Sequence, residues 1–299
     1  MKHAYLIIAH NEPIVLQTLL SVIDHKDNDV FLHIDKRAES LYLDMKSYQM
    51  KYSFLNVLSY RMRVYWGDIS QVEVEFLLME SALAHGSYDY IHLLSGVDLP
   101  IKDQATIHQF FQAHQGKEFV SFWNDEGHRK DLERKVYKYH FFTKYLKNKN
   151  ELSHKLSIPL RNLTLIIQKL LHIKRNHKLQ FYKGSNWFSI TSSFCTYIVS
   201  KKQDILQTFK HTLCPDEIFL QTYLMNSPYK DSLYSIDKTE EGNQRKIDWT
   251  RGSPYVWKET DFDEIMHSNL LFARKFSGHQ SGLLNKMKME KSEYAVTVV

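Results

Sequence analysis

The chain has 299 residues, of which 43% are hydrophobic and 24% are charged, so it can bury the core of one extended α/β domain with appendages. It contains no apolar run near the roughly 20 residues of a membrane span, and Met1-Lys2-His3 leads straight into a strand pattern, from which we expect no signal peptide. Its two cysteines, Cys195 and Cys214, exclude a disulfide framework and favour free thiols in a reducing, cytoplasmic compartment.

The first residues have the pattern of a parallel sheet. Residues 5–9 form a continuous apolar run of strand length, and Pro13 then suits the first turn of a helix for which Asn11 would be the N-cap. A second apolar run, 30–34, ends in Asp35. A strand, a helix and a second strand in this order predict a βαβ unit.

Further elements follow at the spacing of an α/β domain. Ser70 and Glu73 have the spacing of a capping box at the start of an amphipathic helix. The basic and aromatic region 129–183 has a mostly helical pattern and is expected to be an insertion in the sheet, whereas disorder is expected only in a C-terminal tail, 278–299. The other predicted elements are strands at 56–59, 90–94, 119–123 and 187–190 and a helix at 216–224.

The formal net charge is +5, and its location bears on the partners of the chain. Much of the basic excess lies within 129–183, where aromatic residues interleave it. That pattern fits nucleic-acid binding, a solvated helical face, or a surface that faces anionic lipids or a lipid-diphosphate acceptor. Because no nucleic-acid motif accompanies the charge, we expect no nucleic-acid partner, and peripheral membrane association stays open.

Polar or aromatic residues lie at or just beyond the ends of four of the predicted strands: His10, Asp35, Asp98 and Trp123. Ligands of parallel α/β sheets bind beyond the carboxyl ends of the strands. Each residue alone fits an ordinary loop, but the four together predict a ligand site at this edge of the sheet.

A series of short motifs in a fixed order carries a family resemblance. The motifs are Tyr5-Leu6-Ile7-Ile8-Ala9-His10, His33-Ile34-Asp35, Val64-Tyr65-Trp66-Gly67 with Ser70, Leu93-Leu94-Ser95-Gly96-Val97-Asp98-Leu99-Pro100, Gly184-Ser185-Asn186-Trp187, Pro215-Asp216-Glu217, Asp248-Trp249, Ser253-Pro254 and Phe272-Ala273-Arg274-Lys275-Phe276. With them the chain resembles the core-2/I-branching β-1,6-N-acetylglucosaminyltransferases and the related peptide O-xylosyltransferases, as a bacterial-type member. The resemblance implies a GT-A-type nucleotide-sugar-binding fold, in which a mainly parallel central sheet is flanked by helices. It implies a glycosyltransferase domain over residues 1–277.

The resemblance also implies an inverting, metal-independent transferase in which Glu217 is the catalytic base. The acid of this motif would deprotonate the acceptor hydroxyl for in-line attack on the anomeric carbon. A position in the first turn of a helix would favour the ionised carboxylate that a base requires. The residues alone equally allow Asp216 and Glu217 to be helix caps.

By the same resemblance, Arg274 and Lys275 form a diphosphate clamp that neutralises the leaving nucleoside diphosphate. The pair alone would also fit an exposed basic surface. Folds of this type more often hold a divalent ion with Asp-x-Asp at a strand end, but the strand that ends in Asp35 has no second acid. Asp27-Asn28-Asp29 precedes that strand and Asp261-Phe262-Asp263 begins a predicted helix, so no metal site is expected.

Other residues would bind the nucleotide-sugar. Asp35 would form hydrogen bonds with the uridine or ribose, and His10 would lie beside the base. Trp66 and Trp187 offer flat surfaces for a base or sugar, although either could be a core residue. Arg251 is a provisional further cation near the clamp. The full set expected from the resemblance is His10, Asp35, Val64, Tyr65, Trp66, Asn186, Trp187, Ser253, Arg274 and Lys275.

The favoured donor is UDP-N-acetylglucosamine, with UDP-xylose as the alternative, and no cofactor besides this UDP-sugar co-substrate is expected. The sugar would pass in β-linkage to a hydroxyl of a glycan or lipid-linked acceptor. The eukaryotic relatives carry a membrane anchor and disulfides that this sequence does not show, so we expect a bacterial, cytoplasmic enzyme of cell-surface polysaccharide synthesis. Acceptor recognition would lie in 129–183. A catalytically inactive carbohydrate-binding relative and a metal-dependent transferase stay open.

Overall fold

The computed structural model describes residues 1–147, 152–176, 179–236 and 239–296, and strands alternate with helices through most of this range. The strands are β1 (His3–Ala9), β2 (Asn28–Ile34), β3 (Phe54–Val57), β4 (Tyr90–Ser95), β5 (Asp98–Pro100), β6 (Ser189–Thr191), β7 (Arg245–Ile247) and β8 (Phe272–Arg274). The α-helices are α1 (Pro13–Val22), α2 (Glu39–Ser47), α3 (Ser70–His85), α4 (Gln104–Ala113), α5 (Glu126–Val136), α6 (Leu152–Leu170), α7 (Ser192–Ser200), α8 (Lys202–Phe209), α9 (Phe219–Met225), α10 (Thr239–Asn243), α11 (Phe262–Met266) and α12 (Ser281–Val296).

The main sheet has five strands in the order β3-β2-β1-β4-β6. Strand β1 pairs in parallel with β2 and β4, and β2 pairs in parallel with β3, whereas β6 runs antiparallel to β4. A smaller sheet has the order β5-β8-β7 and places Asp98 opposite Arg274. The predicted α/β architecture, a mainly parallel central sheet flanked by helices, is confirmed.

Both faces of the main sheet are buried. Because side chains alternate along a strand, Tyr5 and Ile7 of β1 enter a core with α1, α4 and α12, while Ala4 and Leu6 enter a second core with α3, α7 and α9. Coverage on both faces explains why the strands are continuous apolar runs in the sequence.

The basic region 129–183 contains most of α5, all of α6 and a short 3-10 turn, Thr143–Tyr145. The mostly helical pattern expected there is observed, while residues 148–151 and 177–178 lie outside the described part of the chain. No helix in the described residues is both long and apolar enough to cross a membrane.

The bounds of several predicted strands differ from the structure, among them 187–190, which is β6 over Ser189–Thr191, and one predicted strand does not form. The third strand runs over Phe54–Val57 and begins two residues before the predicted 56–59. Residues 119–123 form no strand: Phe119 makes an isolated bridge with Ser189, and the N–H of Trp123 donates to the carbonyl of Lys183 at 2.8 Å. This extended segment therefore bonds to β6 at its start and to a loop at its end, partners that a local apolar pattern does not reveal.

Two predicted helix caps are also wrong. Glu12, not Asn11, is the N-cap residue of α1, and its side chain makes no cap bond but accepts from the N–H of Gly278 at 2.7 Å. At α3 the capping box does not form, because the Ser70 hydroxyl accepts from the N–H of Tyr65 at 3.0 Å, outside the helix. In both cases a hydrogen bond outside the helix occupies the side chain, which therefore does not cap the helix.

The expected disordered tail is largely a helix. Helix α12 spans Ser281–Val296 and buries Leu283, Leu284 and Met287 in the core shared with α1. The prediction missed this because three apolar residues at helical spacing are a weak signal without their partner surface. Residues 297–299 lie outside the described residues.

The docking of α12 predicts a selective loss of stability. Leu284→Ala should lower the free energy of unfolding by about 2–5 kcal/mol, because it leaves a cavity in the core. Urea denaturation measures this change. Lys288→Ala, at an exposed site on the same helix, should change it by less than about 0.5 kcal/mol. Equally small effects for both variants would show that α12 is not docked.

Candidate active site

The carboxyl ends of the parallel strands bring several predicted site residues to one edge of the sheet. His10 follows β1 and Asp35 follows β2, and these strands pair along their full length. Loss of hydration lowers the pKa of His10; the charge of Asp35 opposes this, and the positive charges of Lys275, Arg37 and Arg274 add to it. The predicted clamp and the predicted nucleoside residues therefore lie near one another.

The carboxylate of Asp35 is held by Arg37. The guanidinium donates to both carboxylate oxygens at 2.8 and 2.7 Å, and the backbone N–H groups of Arg37 and Val64 each donate at 2.8 Å. Burial alone would raise the pKa of Asp35, but these hydrogen bonds outweigh it and lower the pKa to about 2. Asp35 thus fixes Arg37 and Val64 at the strand end, and Arg37 is a cation of this edge that the motifs did not mark.

The loop before α3 forms a wall beside these residues. The Arg37 guanidinium lies 4.9 Å from the centre of the Tyr65 ring, a cation–π contact. The carbonyl of Gly67 accepts from the N–H of Cys214 at 3.0 Å. This bond ties the wall to the segment that leads into the predicted catalytic acid.

Trp66 is 47% exposed, so it is a surface residue and not part of the core. The ammonium of Lys147 lies 4.7 Å from the centre of its ring. Burial lowers the pKa of Lys147, and the charges of Lys275 and Arg274 lower it further. Lys147 is therefore a third cation near the predicted clamp. No sequence motif pointed to it.

The first residue of the clamp is ion-paired. Nη1 of Arg274 donates to Asp98 Oδ1 at 2.7 Å, across the pairing of β5 with β8. The Asp98 side chain is 3% exposed, whereas that of Arg274 is 19% exposed. The guanidinium also lies 4.6 Å from the centre of the Trp187 ring. Arg274 is thus held rigidly between a buried acid and an aromatic face, with part of its side chain open to solvent.

Lys275 follows directly and is half-buried. The fully buried Trp257 fixes the backbone at this point. Its indole N–H donates to the carbonyl of Arg274 at 2.8 Å, and its backbone N–H donates to the carbonyl of Lys275 at 3.0 Å. In the described part of the chain no carboxylate forms an ion pair with Lys275. Its charge is therefore open to an incoming anion.

Glu217 ends a short 3-10 turn, Pro215–Glu217, which precedes α9. The predicted helix over 216–224 is wrong at its start, because Ile218 has φ −133° and interrupts the helical backbone. The positive charge beside Glu217 comes from side chains: Nζ of Lys135 lies 3.0 Å from Oε2, and Nζ of Lys183 lies 3.5 Å from it.

Asp131 shares the same two lysines. Its Oδ2 lies 2.6 Å from Nζ of Lys183 and 3.0 Å from Nζ of Lys135. Burial would raise the pKa of Asp131, but hydrogen bonds from these lysines hold it well below its ordinary value. The two acids and two ammonium groups thus form one ion cluster, here called the Glu217 cluster, and Arg134 pairs with the other oxygen of Asp131 at 2.7 Å. The cluster orients Glu217 through Oε2 and leaves 26% of the side chain exposed.

Asp216 is not a helix cap. It is buried, and its Oδ2 accepts from Nε2 of Gln71 in α3 at 2.6 Å. Glu75 lies in the same helix; burial raises its pKa well above the ordinary value, and the charge of Asp216 adds to this. Asp216 therefore anchors the turn on α3, and the neighbouring Glu217 is directed elsewhere.

A close backbone approach places the loop that carries Lys183 and Trp187. A Cβ atom on Gly184 would lie only 1.8 Å from the carbonyl oxygen of Ser121, so no larger residue fits. The N–H of Gly184 donates to the backbone carbonyl of Glu217 at 2.9 Å. This glycine joins the loop to the turn.

A cavity of about 760 Å³ opens beside Glu217. Two other acids, Asp125 and Glu240, reach its lining, as do Trp123 and Trp249. Trp123, expected at the ligand edge of the sheet, thus belongs to this cavity. Glu217 lines this cavity, whereas the residues predicted to bind the nucleotide-sugar do not.

Three predicted residues remain. Asn186 is half-buried beside Trp187, and Ser253 is exposed in the loop after β7; their donor contacts stay predictions. The guanidinium of Arg251 pairs with Asp248, Asp261 and Glu264, and its provisional role near the clamp stays a prediction.

Neither candidate Asp-x-Asp sequence lies at the carboxyl end of β2, where Asp35 lies. Asp29 is at the amino end of β2, the opposite end from Asp35, and Asp261 is bonded to Arg251 and to the N–H of Lys258. Among the described residues, no group of three or more His, Cys, Asp and Glu side chains could hold a metal ion. Catalysis without a metal stays a prediction.

The sequence is similar to proteins that are named xylosyltransferases. Xylosyltransferase 2 of Rattus norvegicus is 25% identical over 306 residues, covering 92% of this chain and 32% of the relative. Xylosyltransferase oxt of Drosophila melanogaster is 24% identical over 278 residues, covering 86% and 30%. The chain spans about a third of the length of these relatives.

Among solved structures, apo mouse xyloside xylosyltransferase 1 matches with a TM-score of 0.37 and 10% identity, covering 91% of this chain and 96% of that one. The family model described as core-2/I-branching enzyme matches residues 3–281. As its motifs predicted, the chain belongs to the core-2/I-branching enzyme family of glycosyltransferases.

Proposed function

We propose that this chain transfers a sugar from a UDP-sugar to a hydroxyl of a glycan acceptor, with inversion at the anomeric carbon and without a metal ion. The observation that carries the proposal is the placement of Glu217. This acid is oriented by two lysines, borders a large cavity and is tied through its turn to the loop beside the clamp.

In this mechanism Glu217 accepts the proton of the acceptor hydroxyl as that oxygen forms a bond to the anomeric carbon. The bond from the anomeric carbon to the diphosphate breaks, and UDP departs with the electron pair. Arg274, Lys275 and Lys147 would neutralise the charge that develops on the diphosphate. The cavity beside Glu217, and not the region 129–183 expected from the sequence, would hold the acceptor, because no residue of 129–183 lines the cavity.

The state of Asp35 supports a metal-free reaction. A metal-dependent site at this strand end would need its carboxylate oxygens as ligands. Here both oxygens accept hydrogen bonds from Arg37, and the N–H of Val64 adds another. Fixed cations then take the place that a divalent ion would fill.

Two donor sugars fit this proposal. Several curated relatives are named xylosyltransferases, which supports UDP-xylose at least as well as UDP-N-acetylglucosamine. UDP release with each donor, scored in parallel, distinguishes the two sugars.

The base is tested by substitution of Glu217. Glu217→Gln should keep UDP affinity but lower turnover by a factor on the order of 10² to 10⁴, because the amide keeps the shape and removes the basicity. Glu240→Gln is the matched control, since Glu240 lines the same cavity; it should keep most of the activity. Near wild-type turnover in Glu217→Gln, or a larger loss in Glu240→Gln, would place the base elsewhere.

The clamp is tested by comparing UDP with uridine. Lys275→Ala and Lys147→Ala should each weaken UDP binding about ten- to a hundredfold, the effect of losing a charge-assisted hydrogen bond, and uridine binding much less. Asp35→Ala should weaken both ligands alike, since it releases Arg37 and Val64. Calorimetric titration provides the comparison, with Lys288→Ala as a control for net charge.

Arg274→Ala should show the same preference for UDP, but it leaves Asp98 buried and unpaired, so its fold must be verified first. Equal losses of uridine and UDP in the lysine variants would place these cations away from the phosphates.

A further inference from the structure

Helix α6 presents an apolar face to solvent. Its apolar side chains recur at intervals of three and four residues, which places them on one side of the helix. They are between 44% and 72% exposed, whereas surface helices of globular proteins normally bury such a stripe. The residues of this apolar face are Leu152, Leu156, Leu160, Leu163, Ile166, Ile167 and Leu170.

The polar side of α6 is the side that packs on the protein. Gln168 is buried; its amide donates to the carbonyl of Tyr139 at 2.9 Å and accepts from the N–H of Tyr139 at 2.7 Å. His154 bonds to the carbonyl of Tyr145 at 2.6 Å, and Ser157 is buried. These contacts fix the helix with its apolar face toward solvent.

The region of the chain that contains the apolar face is strongly basic, and part of this charge is exposed on or next to α6. Region 129–183 contains fifteen Lys and Arg residues and three Asp and Glu residues, in a chain whose net charge is only +5. Lys155 and Lys169 are exposed on α6 itself, and Lys174 is exposed just beyond it. A second copy of this chain would bring an equal positive charge against the face, whereas an anionic surface would complement it.

We propose that α6 lies in the plane of a membrane surface, with its apolar face among the acyl chains of anionic lipids. Nineteen residues make a helix about 28 Å long, which suits an amphipathic helix lying in the interface. The 3-10 turn before α6 is bonded to the wall of the nucleotide edge through Thr143 and Asp68 at 2.6 Å. A docked α6 would therefore hold the candidate active site close to the membrane surface.

Co-sedimentation of the full chain with phosphatidylcholine vesicles, with and without phosphatidylglycerol, tests this docking. No nucleotide or acceptor is added, so the result is independent of transferase activity. Wild-type protein should bind the phosphatidylglycerol vesicles more strongly, and added salt should weaken this preference. Leu163→Glu should weaken binding at least about tenfold, because it puts a charge into the apolar face.

Leu43→Glu is the matched control, since Leu43 is 59% exposed on α2, away from α6 in the sequence. It should bind vesicles like the wild type, and the urea midpoints of both variants should equal that of the wild type. Absence of vesicle binding, or equal binding by Leu163→Glu and wild type, would overturn the proposal. Self-association of the wild type that Leu163→Glu abolishes would assign the face to a second copy and would also overturn it.

Discussion

The ion pair between Arg274 and Asp98 is the interaction on which the candidate site depends. It joins β8 to β5 at the carboxyl edge of the main sheet, with Asp98 almost fully buried. Since Lys275 follows Arg274 in the chain, the pair sets the place of both clamp cations. Breaking a buried ion pair by removing one partner typically costs about 3–5 kcal/mol, so the position of the clamp is strongly fixed. Trp187 against Arg274 and Trp257 against the backbone complete the support.

The charged residues of the site form two groups, one in which the cations have carboxylate partners and one in which two cations have none among the described residues. In the Glu217 cluster, the cations of Lys135, Lys183 and Arg134 pair with the carboxylates of Glu217 and Asp131. At the nucleotide edge, Lys147 and Lys275 have no carboxylate partner among the described residues. An anion such as a diphosphate would supply the missing charge there, while the internally paired Glu217 cluster keeps the base oriented before substrate arrives. This division is what a reaction with an anionic leaving group and a neutral acceptor requires.

The sequence predicts the structure best where the signal is local. The buried strands β1, β2 and β4 are continuous apolar runs, and the residues at their tips, His10 and Asp35, follow from where parallel strands end. The motif order gave the family correctly. Glu217 and the clamp were named from the resemblance and not from periodicity.

The misses share one cause, which is contact with remote parts of the chain. Lys147 and Lys135 enter the site from the basic region, and no spacing in the sequence marks them. Glu12 accepts a hydrogen bond from the N–H of Gly278 instead of capping its own helix. Helix α12 depends on the core surface against which it packs. The outward face of α6 could be read as apolar from the sequence, but only the structure shows which side of the helix packs on the protein.

The central claim is a metal-free transfer in which fixed cations stabilise the leaving diphosphate. The most direct measurement is the rate of UDP release with donor and acceptor present, in excess EDTA and after subsequent addition of manganese. The account predicts the same rate in all conditions, because Arg37 already occupies the carboxylate of Asp35 and the clamp supplies the positive charge. A rate that falls with EDTA and returns with manganese would contradict it.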